Sequence, residues 1–113
     1  MLDDIASVTL TTALSGLSAR QRVSANNIAN IETPNFRSSQ VSFEDSLRSA
    51  VEAGNPASAT LTETPLGGTV SANGNDVNLD TELVTDEKSQ MQYSLLSGAL
   101  TSKFGLLETV IKG

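Results

Sequence analysis

The two ends of this chain carry apolar residues at helical spacing, and a stretch rich in Gly, Pro, Ser and Thr divides them. Near the start, Leu10, Leu14 and Leu17 step by four and three, and Ile28 and Ile31 resume the same heptad positions past Gln21 and Ser24. This spacing predicts one amphipathic helix from Asp3 to about Asn30, about 40 Å long at the helical rise. Its apolar stripe is too thin for it to be stable alone in water. Asn30 and the Thr33-Pro34 step end it, because a residue before proline is pushed out of the helical region. Helical spacing returns after Asp80, read as an N-cap with Glu82 behind it, and runs to Ile111. Tyr93, Leu100, Phe104, Leu107 and Ile111 form one stripe, and Leu83, Met91 and Leu95 start on a neighbouring face. Lys103 and Lys112 lie toward the end that the helix dipole favours for cations.

Between these ends, Ser42 reads as the N-cap of a short helix, with Glu44 and Asp45 in its first turn and Leu47 to about Val51 completing it. From Ala53 to Thr81 there are four glycines, two prolines and three acids with no basic residue, so no helical pattern survives. Strand segments are expected around Ala59–Glu63 and Thr69–Val77, with Asn73-Gly74 as a two-residue hairpin turn. The fold expected is mainly α: two long terminal helices in an antiparallel, coiled-coil-like pair, a short helix, and a loop-rich or β-hairpin middle. Within one domain this divides the chain into an N-terminal helix (1–31), a turn and short helix (32–52), a flexible or β-hairpin insertion (53–81) and a C-terminal helix (82–113).

Composition limits what such a fold can do. The 113 residues are 38% hydrophobic and 4% aromatic, so a lone chain buries little apolar surface against its backbone entropy. Stability borrowed from neighbouring copies or relatives is the expected remedy, and the small residues Ala13, Gly16, Ala19, Ser97, Gly98 and Gly105 permit close helix approach on more than one face. The absence of Cys and His removes disulfides, Cys nucleophiles, His bases and the usual zinc ligand sets. A net charge of −6 has the wrong sign for general nucleic-acid binding. The acid pairs Asp3/Asp4, Glu44/Asp45 and Asp86/Glu87 are sequence neighbours, which point apart on a helix and suit a solvated face rather than acid–base catalysis. No enzyme activity and no cofactor are expected. Asp76, Asn78 and Asp80 imitate the start of a calcium loop, with Glu87 in its twelfth place, but Thr81 stands where the sharp turn needs glycine, and helix capping by Asn78 or Asp80 explains the same residues more simply. Met1-Leu2-Asp3-Asp4-Ile5 carries acids where a signal peptide needs bases, and no apolar run approaches the length that crosses a bilayer. Neither a cleaved signal nor membrane insertion is expected.

Residues 25–36 (Ala25, Asn26, Asn27, Ile28, Ala29, Asn30, Ile31, Glu32, Thr33, Pro34, Asn35, Phe36) resemble the N-terminal signature of the flagellar basal-body rod and hook proteins, preceded by Leu17-Ser18-Ala19-Arg20-Gln21-Arg22 in place of that family's helical element. The segment Asn75–Asp80, then Gln92-Tyr93 and Lys103-Phe104-Gly105-Leu106-Leu107, is similar to the proximal-rod type within the family. Asn35 and Phe36 depart from the family's usual Gly and Tyr; Asn is the non-glycine residue that best tolerates positive φ. On physical grounds, Asn26, Asn27 and Asn30 read as helix-ending and turn-forming amides that also suit polar contacts between subunits. Arg20, Arg22 and Arg37 read as surface charge or as partners for acids on a neighbour.

The resemblance implies a structural subunit of the bacterial flagellar basal body, exported without a cleaved signal and with terminal helices loose until incorporation. It further implies helical assembly around the export channel, torque transmission, and contacts with copies of itself, other rod proteins, the membrane-ring adapter and the export apparatus. The seam expected to carry those contacts is Leu10, Leu14, Leu17, Ile28, Tyr93, Leu100, Phe104, Leu107 and Ile111, beside the signature residues. The alternatives are a small helical substrate or adapter of another export machine, and a calcium-responsive binding module.

Overall fold

The computed structural model describes residues 4–112, and the side chains of these apart from 106–108 and 110–112. Helix α1 (Ile5–Ala29) leads into strand β1 (Ser39–Ser42), helix α2 (Glu44–Glu52), a 3-10 turn at Pro56–Ser58, strand β2 (Thr62–Pro65) and helix α3 (Leu79–Lys112). The two long helices run antiparallel, since the end of α1 meets the start of α3 at Asn27 and Glu82, and Asp4 before α1 meets Lys103 late in α3. The described molecule is a rod of 64 × 26 × 14 Å.

Local chemistry sets the helix ends. The Asp4 carboxylate accepts the Ser7 N–H at 2.8 Å and opens α1. Asn30 closes it: its backbone N–H reaches the carbonyls of the last turn and its side-chain amide donates to the Asn26 carbonyl at 2.8 Å. Helix α3 begins at Leu79, and its cap is Asn78, whose Oδ1 accepts the Thr81 N–H at 3.1 Å. Asp80, expected as the cap, lies inside the first turn and still suits the positive end of the dipole.

Two other expectations are corrected. Ser42 does not cap α2; it is the last residue of β1, and the capping position belongs to Phe43, which makes no side-chain cap bond. Tertiary packing decides this, because the buried Phe43 ring lies against Gly16 of α1 and fixes where the chain turns into α2. The strand pairing also differs. β2 pairs antiparallel with β1, across α2, with Ser39 opposite Pro65 and Ser42 opposite Thr62. No strand forms over Thr69–Val77; Ser71 and Gly74 close a turn there, with Gly74 at φ +84°.

The core is small. Leu17, Ala19, Val41 and Phe43 are buried together, with Ala13, Val23, Leu47 and Leu96 packed against them. It therefore joins both long helices, β1 and α2 at one place. Among the described side chains of the proposed seam, Leu17 is fully buried, Leu10, Leu14, Ile28 and Leu100 are half-buried, and Tyr93 and Phe104 are exposed. The side chains of Leu107 and Ile111 lie outside the described residues.

Candidate assembly site

The signature residues sit where α1 ends, and three of the buried polar groups of the protein converge on them. Asn27 occupies an interior position of α1 and is 1% exposed. Its Nδ2 donates to the Ser39 carbonyl at 2.8 Å and to Glu82 Oε1 at 2.9 Å, while its Oδ1 accepts the Ser39 N–H at 3.2 Å. One turn earlier, Ser24 Oγ donates to the Glu82 carbonyl at 3.1 Å. These bonds tie α1, β1 and α3 at one level, and a buried polar group with all partners present fixes register more sharply than apolar contact does.

The segment after α1 is held from the other side by residues 73–77. Asn75 Nδ2 donates to the carbonyls of Asn30 and Thr33, both at 2.8 Å, and its Oδ1 accepts the Val77 N–H. Asp76 Oδ1 accepts the Ser38 N–H at 2.6 Å, and its own N–H donates to the Phe36 carbonyl. The Ser38 N–H holds the Asp76 carboxyl below its ordinary range. Asn35 takes φ +63° and donates its N–H to the Asn73 carbonyl. Gly74 faces it, so closely that a Cβ there would collide with the Asn35 side chain. The turn therefore needs glycine at 74 and a residue tolerant of positive φ at 35. The Asp76 and Asn78 oxygens that suggested a calcium loop are engaged in these bonds and in the α3 cap.

The remaining signature residues are placed as follows. Ala25, Asn26, Ala29, Thr33 and Pro34 are exposed, and Ile28 and Phe36 are half-buried. Thr33 Oγ1 donates to Asn30 Oδ1 at 3.1 Å, tightening the turn. The three Asn residues thus divide their work: Asn30 ends the helix, Asn26 sits at the surface, and Asn27 reaches across to two other elements.

A second clamp lies two turns back along α1. Arg20 donates to both carboxylate oxygens of Glu44, at 2.7 and 2.8 Å, and Nη2 also donates to the Val41 carbonyl at 2.7 Å. Its guanidinium lies 4.9 Å from the centre of the Phe43 ring. Arg20 hydrogen bonding pulls the Glu44 carboxyl from 4.5 to about 2. At the far end, the Ser7 backbone N–H and then Lys103 bring Asp4 to about 2. Arg20 therefore pairs inside the chain, and among the described residues Arg22 reaches Ser18 Oγ, at 3.4 Å.

Outside the clamps, the face of α3 turned from α1 carries exposed apolar residues around the exposed Lys88. Val84, Met91 and Leu95 are 64%, 71% and 72% exposed. At 100° per residue they fall within about 40° of one another, and Val84 and Met91 lie about 200° from the buried Glu82 and Ser89 respectively. Beside this stripe an apolar groove of about 670 Å³ opens between α1, α2 and α3, lined by Ala13, Leu17, Phe43, Leu47, Val51 and Leu96, with Leu95 at its lip.

Sequence reasoning did not find Glu82, Ser39, Asn75 or the Gly16–Phe43 contact. The one signal available was Ser24, a polar residue on the Leu10–Leu17–Ile28 stripe, which demands a polar partner when that stripe is buried.

Comparison with known proteins gives a consistent result. Residues 9–37 match the family described as "Flagella basal body rod protein". The chain is 33% identical over 117 residues to the flagellar basal body rod protein FlgB of Bacillus subtilis, covering 92% of this chain and 91% of that protein. It is 31% identical to FlgB of Borreliella burgdorferi and 32% identical to FlgB of Borrelia hermsii, each time over 118 residues, 85% of this chain and 87% of the relative.

Proposed function

This chain belongs to the FlgB family of flagellar basal body rod proteins, and from that premise we propose how its surfaces serve the rod. It is a structural subunit of the rod in the flagellar basal body and assembles with other rod components. No described helix is long and apolar enough to cross a membrane.

The proposal rests on one observation: α3 packs on α1 through Glu82, Ser89 and Leu96, and it carries exposed apolar residues on the opposite side that no described residue covers. The inner face packs on α1, while Val84, Met91 and Leu95 face outward. A helix of this kind needs two partners. A neighbouring rod helix, from another copy or from the next rod protein, lies along the outer stripe and enters the groove beside Leu95. Contacts that do not close into a ring build a helical tube, here around the export channel, and load then passes between interlocked apolar faces. The half-buried seam residues Leu10, Leu14, Ile28 and Leu100, with Tyr93 and Phe104, serve the same layer. The exposed signature residues Ala25, Asn26, Ala29 and Pro34 meet neighbours at the end of the helix pair, where the membrane-ring adapter and the export apparatus are further partners.

The test uses the absence of cysteine from the sequence. Cells carrying Leu95→Cys or Met91→Cys as the sole cysteine are treated with a short thiol-to-amine cross-linker, and their basal bodies are isolated. The expected result is a specific adduct with a rod subunit from either site. Equal cross-linking from Gln90→Cys, an exposed polar position about 100° round the helix from Met91, would overturn the assignment.

A further inference from the structure

The β1–β2 ribbon stops at two strands, and its two edges are blocked by different means. The Leu66 N–H donates to the Ser38 carbonyl, and these two residues continue the β1–β2 register. By alternation, Gln40 and Ser42 exchange bonds with β2, while the backbone groups of Ser39 and Val41 point outward, away from it. On the β2 side, the outward positions are Glu63 and Pro65, a charge and a residue without an N–H, both of which deter strand addition. The outward edge of β1 has neither protection in its own sequence. Its blocking groups come from α1: Asn27 accepts from the N–H and donates to the carbonyl of the same residue, Ser39, as a paired strand would, and Arg20 donates to the Val41 carbonyl.

We infer that Asn27, held in place by Glu82, is a surrogate third strand that closes a latent pairing edge, and that its loss lets β1 pair with β1 of a second copy. The occupant follows from the edges: with Glu63 and Pro65 guarding β2, the outer side of β1 is the strand edge among the described residues that becomes free, and like edges pair antiparallel about a two-fold axis. The space exists in embryo. A polar cleft of about 330 Å³ separates the edge at Ser39, Val41 and Ser42 from Thr85 and Lys88 of α3. Removing the Asn27 amide frees the N–H and carbonyl of Ser39, while the Ser24–Glu82 bond still holds α3 to α1. This inference goes beyond rod assembly, since it concerns how the chain avoids a wrong contact before meeting its neighbours.

The test is done on the purified full chain. In the native protein the Ser39 amide has no backbone acceptor, yet it must resist hydrogen exchange as Gln40 does, because Asn27 covers it. In Asn27→Ala the Ser39 amide of the monomer should exchange about tenfold faster, the factor that one typical net hydrogen bond supplies, with Gln40 unchanged. Sedimentation should show a dimer with added antiparallel-sheet infrared absorption, and Asn27→Ala combined with Ser39→Pro should return to monomer. Glu82→Gln, which keeps the acceptor oxygen, should stay monomeric. The inference fails if the native Ser39 amide exchanges as an open amide, a reading that needs no variant to fold. It also fails if Asn27→Ala remains monomeric, or if it associates regardless of Ser39→Pro. None of these outcomes depends on motility, so rod assembly is judged separately.

Discussion

Gly16→Ala sets two effects of known sign against each other. In an open helix interior this change stabilises by about 1 kcal/mol, through lower unfolded-state entropy and better helix propensity. At Gly16 the new methyl would stand 2.6 Å from two carbons of the Phe43 ring and 2.7 Å from a third. The ring cannot swing aside, because it is buried in the core and carries the Arg20 guanidinium over it. Overpacking of this kind costs about 1–3 kcal/mol, and forcing Phe43 to shift also strains the Arg20–Glu44 clamp. The net expectation is a loss of about 1–2 kcal/mol, against a gain of about 1 kcal/mol for the matched change Gly98→Ala. Gly98 lies in α3 with nothing within 4 Å of its added methyl. Thermal unfolding followed by circular dichroism separates the two: Gly16→Ala should melt about 5–10 °C lower and Gly98→Ala about 5 °C higher, at the sensitivity of a small domain. If Gly16→Ala raised Tm as Gly98→Ala does, the Phe43 contact would not define the core.

Three further outcomes follow from the clamps. Arg20→Lys keeps the charge but loses the fork on Glu44 and the reach to Val41, so it should destabilise by about 1–2 kcal/mol in urea, while Arg22→Lys should change stability by less than about 0.5 kcal/mol. Glu44 and Asp4 are both held at about 2 and Asp76 is held low, so the unfolded chain binds more protons in acid. Stability should be full above the ordinary carboxylate range and fall as pH drops from about 4.5 toward 2; Arg20→Gln should flatten that slope, and a urea midpoint independent of pH would refute the pairing. Gly74→Ala should destabilise by more than about 1 kcal/mol, from its positive φ and its collision with Asn35, whereas Gly54→Ala, with open space around it, should show only the φ penalty.

Both long helices were legible because their apolar positions repeat over several turns, and Asn30, whose short side chain competes for backbone groups, marks the end of α1; Asp4 was not read as a cap, and Asn78 only as an alternative to Asp80. The ribbon was not. β1 is Ser-Gln-Val-Ser, with a single inward apolar residue, and its partner lies twenty residues on, past a helix. Nothing local distinguishes such a strand from a loop. Phe43 was legible as an aromatic but not as the occupant of the Gly16 notch, because the match between a ring and a missing Cβ exists only once α1 and α2 are brought together. The signature Asn residues read as helix-ending and turn-forming amides; Asn30 does end α1, whereas Asn27 lies inside it and reaches β1 and α3. Asn27 stands nearer the apolar stripe than Asn26 does but about 100° from Ile28, so the phase does not show that it is buried, and its partners Ser39 and Glu82 come from elements 12 and 55 residues away.

The central claim is that the outer apolar face of α3 is made for a neighbour, and Leu95→Asp tests it most directly. Leu95 is 72% exposed, so the purified variant should melt within about 2 °C of the parent, as surface changes do. In cells the same substitution should abolish motility and leave basal bodies without a rod beyond the membrane ring. Motile cells with complete rods would contradict the account.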